Sequence, residues 1–314
     1  MDLKQIEYIV KIADTGSITK AAEQLFVTQS ALNQQLLKLE HQLGIPLFYR
    51  RSHVLVPTDA GKVYLRYGRH MLQEKREAYN IINDLANNKK GHFTLTFSRE
   101  RGLDMLVATY PYFHKEFPGI ILEPQEMHVH QQIGQILKGY VDMGVVTIEM
   151  TDKIPNLVYD HIHYEPILLA IPRSSPLATN AAPPGTFLED LPYLDLKLCK
   201  NLPFVLIFKN STMRSIIDNV FAKNNFHPSV LFESSSVRAL LTMVQNNMAC
   251  TLTSSGYYNG QEDIAFFRIP GDPTWEMCCV YKRDAYLSQA MIYYKDLIKK
   301  YYHREQTKIS AIDD

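Results

Sequence analysis

Between Ser17 and Gly61 the chain carries two short helical patterns separated by a tight turn and followed by a small basic hairpin, and few folds accept that order. Ser17 is a good N-cap, its hydroxyl able to accept a bond from a free backbone N–H, and it leads into a short helix through Ala21, Ala22 and Leu25. The small Ala21-Ala22 pair allows close helix packing. Phe26-Val27 make the turn. Thr28 then caps a longer helix whose Leu32, Leu36, Leu39 and Leu43 recur at four, three and four residues and so share one face. A helical projection leaves Ser30, Asn33, Gln34, Leu37 and Lys38 on the free side, with Gln29 in the first turn. An ordinary solvated face favours Glu and Lys, whereas Asn and Gln can pair bidentately with adenine N6 and N7 in the major groove. Gly44 stops the helix, and Pro46-Leu47-Phe48 leads into a hairpin, Tyr49 to Pro57, with Arg50, Arg51, Ser52 and His53 around its turn. A basic tip suits phosphates or a minor groove.

At these residues the sequence resembles the LysR-type transcriptional regulators. Their N-terminal signature is met at Gly16-Ser17, Ala21-Ala22, Leu25, Gln29, Ala31, Leu39-Glu40, Leu43-Gly44, Leu47-Phe48, Arg50, Thr58 and Ala60-Gly61, and departed from at Ser30, Asn33 and His53. The resemblance implies a winged helix-turn-helix in which the helix from Thr28 to Leu43 enters the major groove of double-stranded DNA and the hairpin is the wing. Gln29, Asn33 and Gln34 are then the expected base readers. Thr28, Lys38, Arg50, Arg51 and His53 are expected to position the backbone, with Ser17 and Ser30 completing the DNA-facing set.

Charge follows the same division. The chain is neutral overall, but residues 1–90 hold 13 Lys+Arg against 9 Asp+Glu, an excess of +4, and the remainder holds 20 against 24, a deficit of −4. So small an excess makes a weak non-specific binder, and dimerisation would double the charge presented to DNA. A first helix, Leu3 to Asp14, buries Leu3, Ile6, Ile9, Val10 and Ala13 and completes the module's core. After the wing, Thr58 with Asp59 caps a helix to about Ala86, with a stripe of Val63, Tyr64, Tyr67, Met71, Ala78, Ile81, Ile82 and Leu85. At about 1.5 Å per residue it would be roughly 40 Å long, and it needs a partner. That partner is either its own C-terminal domain or a second subunit. The resemblance implies a homodimer through this linker helix, effector lobes that pair dimers into a homotetramer, and an operator with an interrupted inverted repeat.

The polar run Asn87-Asn88-Lys89-Lys90-Gly91 reads as a boundary, after which strands and helices alternate. His92 to Phe97, Gly119 to Met127 and Met143 to Thr147 read as strands around helices at Gly102 to Phe117 and Gln131 to Lys138. A second unit repeats this order, with strands Pro203 to Phe208, Ser229 to Glu233 and Ala249 to Thr253 and helices Met213 to Asn224 and Val237 to Asn246. Tyr159 to Ile171 and Ala265 to Tyr281 read as two crossovers between lobes, and a last helix, about Tyr286 to Tyr302, returns to the first. The expected fold is α/β with a helix-rich winged helix-turn-helix at residues 1–58, a linker/dimerisation helix at 59–90 and a two-lobed effector-binding domain at 91–303. Lobe I takes about 91–162 and 268–303, lobe II about 163–267, and 304–314 are a flexible tail. Such a lobe pair resembles the periplasmic-binding-protein-like effector domain of the same family. The glycine turn usual there is replaced by Asn246-Asn247, and Asn tolerates a left-handed conformation.

In open α/β sheets ligands bind beyond the carboxyl ends of strands, at helix N-termini. Ser98-Arg99, Lys209-Asn210-Ser211-Thr212 and Ser234-Ser235-Ser236 stand at such places, with Thr147 at the end of another strand. For any one of them a plain N-cap is the simpler reading. Their recurrence beside Arg99 and Lys209 points to a small anionic effector held by Ser98, Arg99, Thr147, Lys209, Asn210, Ser211 and Ser234, against which Glu100 counts.

Two His-x-His pairs, His128/His130 and His161/His163, would each offer two metal ligands on one strand face, but neither has a third ligand nearby in sequence. Cys199 has no cysteine neighbour in sequence, and Cys278-Cys279 fall in a strand expected to be buried. A metal-dependent enzyme, or a metal- or redox-responsive regulator built on these residues, is therefore the alternative to a non-enzymatic regulator without cofactor. Phosphate-loop, nucleophile-elbow and HExxH motifs are absent. The start Met1-Asp2-Leu3-Lys4 lacks a basic segment followed by an apolar one, and no window is long and apolar enough to span a bilayer, so a cytoplasmic protein without a membrane partner is expected.

Overall fold

The computed structural model describes residues 2–51, 54–87, 89–149 and 153–310, giving the backbone alone for Arg51 and for 304–310. They form two compact units, one ending at His92 and including Lys138–Tyr140, the other formed by Phe93–Leu137 and the chain from Val141 onward.

The first unit is built from local signals. Asp2 caps α1 (Leu3–Thr15), Ser17 caps α2 (Ile18–Gln24) and Thr28 caps α3 (Gln29–Leu43), each through its side-chain oxygen. Gly16 at φ 65° and Gly44 at φ 68° end α1 and α3 in the left-handed conformation. Phe26, also left-handed at φ 53°, makes the turn between α2 and α3. Ile6, Ile9 and Ile12 of α1 meet Ala21 and Ala22 of α2 and Leu32, Leu36 and Leu39 of α3 in one core, whereas Leu3 stays exposed. β1 (Phe48–Arg51) and β2 (Val54–Pro57) pair antiparallel, Arg50 opposite Leu55. Thr58 joins the wing to α4 (Asp59–Leu85): its hydroxyl donates to Pro46 O (2.8 Å) and accepts from Gly61 N (2.9 Å). A Cβ at Gly61 would fall 2.0 Å from Leu47 O, so only glycine fits this crossing.

The long stripe read on α4 divides in two. Tyr64, Leu65 and Gly68 turn into the core of the DNA module, while Val63, Tyr67, Met71, Ala78, Ile82 and Leu85 are exposed. Gly68 lets α4 lie against α1, and Lys75 with Glu7 (2.9 Å) and Arg69 with Asp14 pair across the same contact.

The second unit has two lobes. In the first, β3 (Lys90–Phe97), α5 (Arg101–Glu116), β4 (Gly119–Glu126), α6 (Val129–Leu137) and β5 (Met143–Ile148) give a sheet in which β3 is parallel to β5. β6 (Leu157–Pro172) then leaves this lobe for the second, which contains β7 (Pro203–Ile207), α7 (Thr212–Lys223), β8 (Ser229–Ser234), α8 (Val237–Gln245), β9 (Thr251–Ser254) and β10 (Ile264–Arg268). β11 (Thr274–Lys282) returns to pair with β5 and β6, and α9 (Gln289–Ser310) packs on the first lobe through Met291, Tyr294 and Ile298. Along β6, Leu157 to Pro166 pair with β11, and Ile167 onward with β9 and β10.

Two expectations change here and a third holds. Ala265 to Tyr281 is two strands, divided by a turn with Gly271 at φ 91° and Asp272 at φ 41°. The last helix starts three residues later than read and runs on to Ser310. The turn after α8 is made by Asn247, left-handed at φ 60°, so asparagine does serve there in place of glycine.

Candidate DNA interface and effector site

With Leu32, Leu36 and Leu39 buried, α3 leaves Gln29, Ser30, Gln34 and Lys38 exposed and Asn33 half-buried. Arg50 of the wing donates from Nη2 to Asn33 Oδ1 (3.3 Å), which fixes the direction of that amide. Two residues of the expected DNA-facing set do internal work as well. Thr28 Oγ1 accepts from Ala31 N (3.2 Å) and lies 3.2 Å from the Ser30 hydroxyl, and Ser17 Oγ accepts from Lys20 N (3.4 Å). Glu40, two helical turns after Asn33, accepts from Leu47 N (2.6 Å) and Phe48 N (3.2 Å) and pins the wing to α3. Leu55 N donates to Gly16 O (2.8 Å) and ties the other wing strand to the turn after α1. The result is a rigid amide face beside a basic hairpin. The side chains of Arg51 and His53 lie outside the described residues.

In the second unit the lobes meet along several contacts. Ser98 accepts from Gln132 Nε2 (3.2 Å), and Arg99 Nε donates to Glu126 (2.8 Å), so this guanidinium is paired within its own lobe. Glu100 is left-handed at φ 61°, and its carboxylate reaches the second lobe, accepting from Ser236 Oγ (2.5 Å) and Tyr257 Oη (2.9 Å). Ser236 is the N-cap of α8, so the anion at that helix N-terminus is the chain's own. Burial, and then the Glu100 charge, push the Tyr257 phenol well above its ordinary range. The N-terminus of α7 differs. Ser211 caps it by accepting from Arg214 N (3.1 Å), while Lys209 and Asn210 are exposed beside it. Arg214 is buried against Glu233, Asp218 and Ile207 O. Ser234 Oγ accepts from Ser236 N (3.1 Å), Thr147 sits half-buried on β5 opposite Met277, and His128 lies against Phe208 with ring centres 5.1 Å apart.

Residues 3–62 match the family model of the bacterial regulatory helix-turn-helix protein, lysR family, and residues 86–301 match that of the LysR substrate binding domain. The chain belongs to the LysR family. It is 28% identical over 271 residues to a probable RuBisCO transcriptional regulator of Trieres chinensis, covering 85% of each chain. Among solved structures, full-length OxyR of Pseudomonas aeruginosa superimposes with a TM-score of 0.69 at 18% identity, over 95% of this chain and 98% of that one. CbnR in complex with its target DNA gives a TM-score of 0.61 at 18% identity, over 96% and 99%. These likenesses carry the winged helix-turn-helix and the two-lobed domain across the whole LysR chain.

Only one of the two histidine pairs lies on a strand as the sequence suggests. His130 lies in the first turn of α6 and His128 just before it, so they do not share a strand face. On β6, His161 bonds Glu276 (2.9 Å) and His163 bonds Glu165 (2.8 Å). Among the described residues no three His, Cys, Asp or Glu side chains converge as a metal requires. Burial raises the Cys199 thiol to about 11 and the Cys250 and Cys279 thiols to about 12, away from the thiolate that redox chemistry needs. Cys250 shares the core of the second lobe with Cys199, near enough for Cys199 to add to its shift, a proximity invisible at a separation of fifty-one residues. Neither set of placements favours a metal- or redox-dependent function. Among the described residues no helix is long and apolar enough to cross a membrane.

Proposed function

We propose that this LysR-type regulator reads an interrupted inverted repeat as a two-fold dimer and carries out no covalent chemistry, acting in the compartment that holds its DNA. The observation that carries the reading is the amide face of α3, exposed at Gln29 and Gln34 and oriented at Asn33 by Arg50. Gln29, Asn33 and Gln34 read bases, while Thr28, Lys38 and Arg50, with Arg51 and His53, hold phosphates. The exposed stripe of α4, from Val63 through Tyr67 and Met71 to Ile82 and Leu85, supports an antiparallel helix pair between subunits. Exposed Leu103 and Val107 on α5 and Leu231 and Phe232 on β8 support a second, lobe-to-lobe contact that makes a tetramer. Sequencing DNA recovered with the protein from cells should return a repeat with two-fold symmetry. A collection of sites without symmetry refutes the dimeric reading. A Tyr67→Glu/Ile82→Glu variant should weigh as a monomer, and full assembly in that variant moves the interface elsewhere.

The effector cleft lies between the lobes and takes a small anion. Support comes from the contrast between two helix ends: α8 is already supplied with the Glu100 carboxylate, while α7 presents Ser211 beside exposed Lys209 and Asn210. Ser98, Arg99, Thr147 and Ser234 border the same cleft. A carboxylate or sulfate there shifts DNA affinity only through its preference for one lobe arrangement, and a tenfold change needs about 1.4 kcal/mol of coupling. Thermal shift with small carboxylates should be lost in Ser98→Ala/Lys209→Ala. A carboxylate that stabilises wild type and variant equally binds outside this cleft.

A further inference from the structure

Behind the Glu100 contact lies a cavity of about 1000 Å³ that shares no residue with the proposed anion cleft. Its walls come from the first lobe (Arg101, Asp104), from β6 (His163, Glu165) and from the second lobe (Arg238, Tyr257), with Tyr302 of α9 at one side. The size suits a whole metabolite.

The chemistry of the walls restricts the guest. Arg101 lies between the Tyr257 and Tyr302 rings, 5.9 and 5.3 Å from their centres, and Gly256 leaves the room it needs, since a Cβ there would fall 2.2 Å from Arg101 Cζ. The guanidinium is already neutralised by Glu165 at 2.7 Å, and that carboxylate also accepts from His163 Nε2 and Trp275 Nε1, both at 2.8 Å. Arg101 and Arg238 face Asp104, Glu165 and Glu189, two positive charges against three negative, so the walls do not select an anion. One polar atom is unsatisfied. His163 is only 6% exposed, and its Nδ1 is buried without a partner. In the tautomer that donates from Nε2 to the Glu165 carboxylate, Nδ1 presents a lone pair to a donor.

We propose that this cavity is a second small-molecule site, taking an uncharged nitrogen heterocycle of nucleoside size. An N–H or O–H of the guest donates to His163 Nδ1, and its ring lies against the tyrosine walls. The guest touches both lobes and the strand they share, and the Asp104–Arg238 ion pair joins the lobes at the same place, so occupancy favours the lobe arrangement seen here. The assignment does not rest on the anion cleft.

The test is thermal shift and titration calorimetry of the full-length protein with adenosine, guanosine, cytidine and uridine. At least one should raise the melting temperature saturably. Its affinity should fall at least about tenfold in His163→Leu, which removes the acceptor, and in Thr242→Trp, which fills the cavity from the exposed side of α8. It should be unchanged in Ser98→Ala/Lys209→Ala. Should His163→Leu fail to fold, Thr242→Trp decides. The proposal is overturned if none of the four nucleosides stabilises the protein, if binding survives Thr242→Trp, or if it is lost in the cleft variant instead.

Discussion

The two units use their polar side chains in opposite ways. In the first, the amides of α3 stand at the surface, and apart from the ion pairs between α4 and α1 and the Leu55–Gly16 bond the polar contacts are short-range: caps, the Glu40 clamp and one wing-to-helix bond. In the second, charges are buried and joined over long distances, Arg101 to Glu165, Arg214 to Glu233, and Glu100 to the N-terminus of α8. Surface amides left open to water can be exchanged for base edges at little cost, since water gives them up as readily as it takes them. Buried charges cannot be exchanged in that way. They fix how two lobes sit, and any ligand must compete with or add to them.

This contrast predicts where substitutions hurt. The largest effect belongs to Glu165→Gln, which leaves Arg101 buried without its counter-charge and should cost the second unit about 3–5 kcal/mol in urea unfolding. A loss under about 1 kcal/mol would mean that this web does not hold the lobes. Next comes Asn33→Ala, which should lower operator affinity by about 1–3 kcal/mol per half-site and relax base preference while leaving the urea midpoint unchanged. Unaltered selectivity in a competition binding assay would remove Asn33 from the readers. Thr28→Ala removes an internal cap from the same helix together with a phosphate contact, and should cost the first unit about 1 kcal/mol of stability while weakening all DNA sequences alike. Arg50→Ala should weaken binding to every DNA sequence and reduce the salt slope by about one per protomer, and an unchanged slope would place Arg50 off the phosphates.

Acid gives a graded version of the same contrast. Burial alone would raise the Glu165 carboxyl, but Arg101 and His163 hold it well below the usual carboxylate range. A carboxyl with a folded pKa below its unfolded value contributes stability that is complete above the unfolded pKa, about 4.3 for glutamate, and is lost as pH falls through the folded one. Asp160, held down by Lys295 and Lys299 against its own partial burial, acts in the same direction. The second unit should therefore lose stability as pH drops below about 4. Near-UV circular dichroism through an acid titration reads this, and a first unit that melts at higher pH than the second would contradict it.

Sequence distance explains what could be read in advance. The DNA module was legible nearly in full because its determinants are neighbours: Ser17 and Thr28 cap the helices they precede, and Leu32, Leu36 and Leu39 share a face by spacing alone. In the second unit most strands and helices were legible to within a few residues, the break inside 265–281 and the run of α9 to Ser310 excepted, and so was the asparagine turn at 247. Its site was less so. Glu100 counted against an anion site, yet its partner Ser236 is 136 residues away, and no local pattern shows that this carboxylate supplies the N-terminus of α8. The His-x-His spacing misled at 128–130 because a helix begins there, and Glu40, known only as a signature match, clamps the wing through a fold-back of seven residues.

The lobes are joined by unequal connections: β6 runs unbroken from one sheet into the other, while the return passes through the turn between β10 and β11. A strand hydrogen-bonded in both sheets cannot stretch or slide without breaking its ladders, but it can twist. The shared strand is thus a torsion bar. It resists stretching and sliding most and rotation about its own axis least, so unlike ligands bound at different places along the lobes would all turn the same shaft.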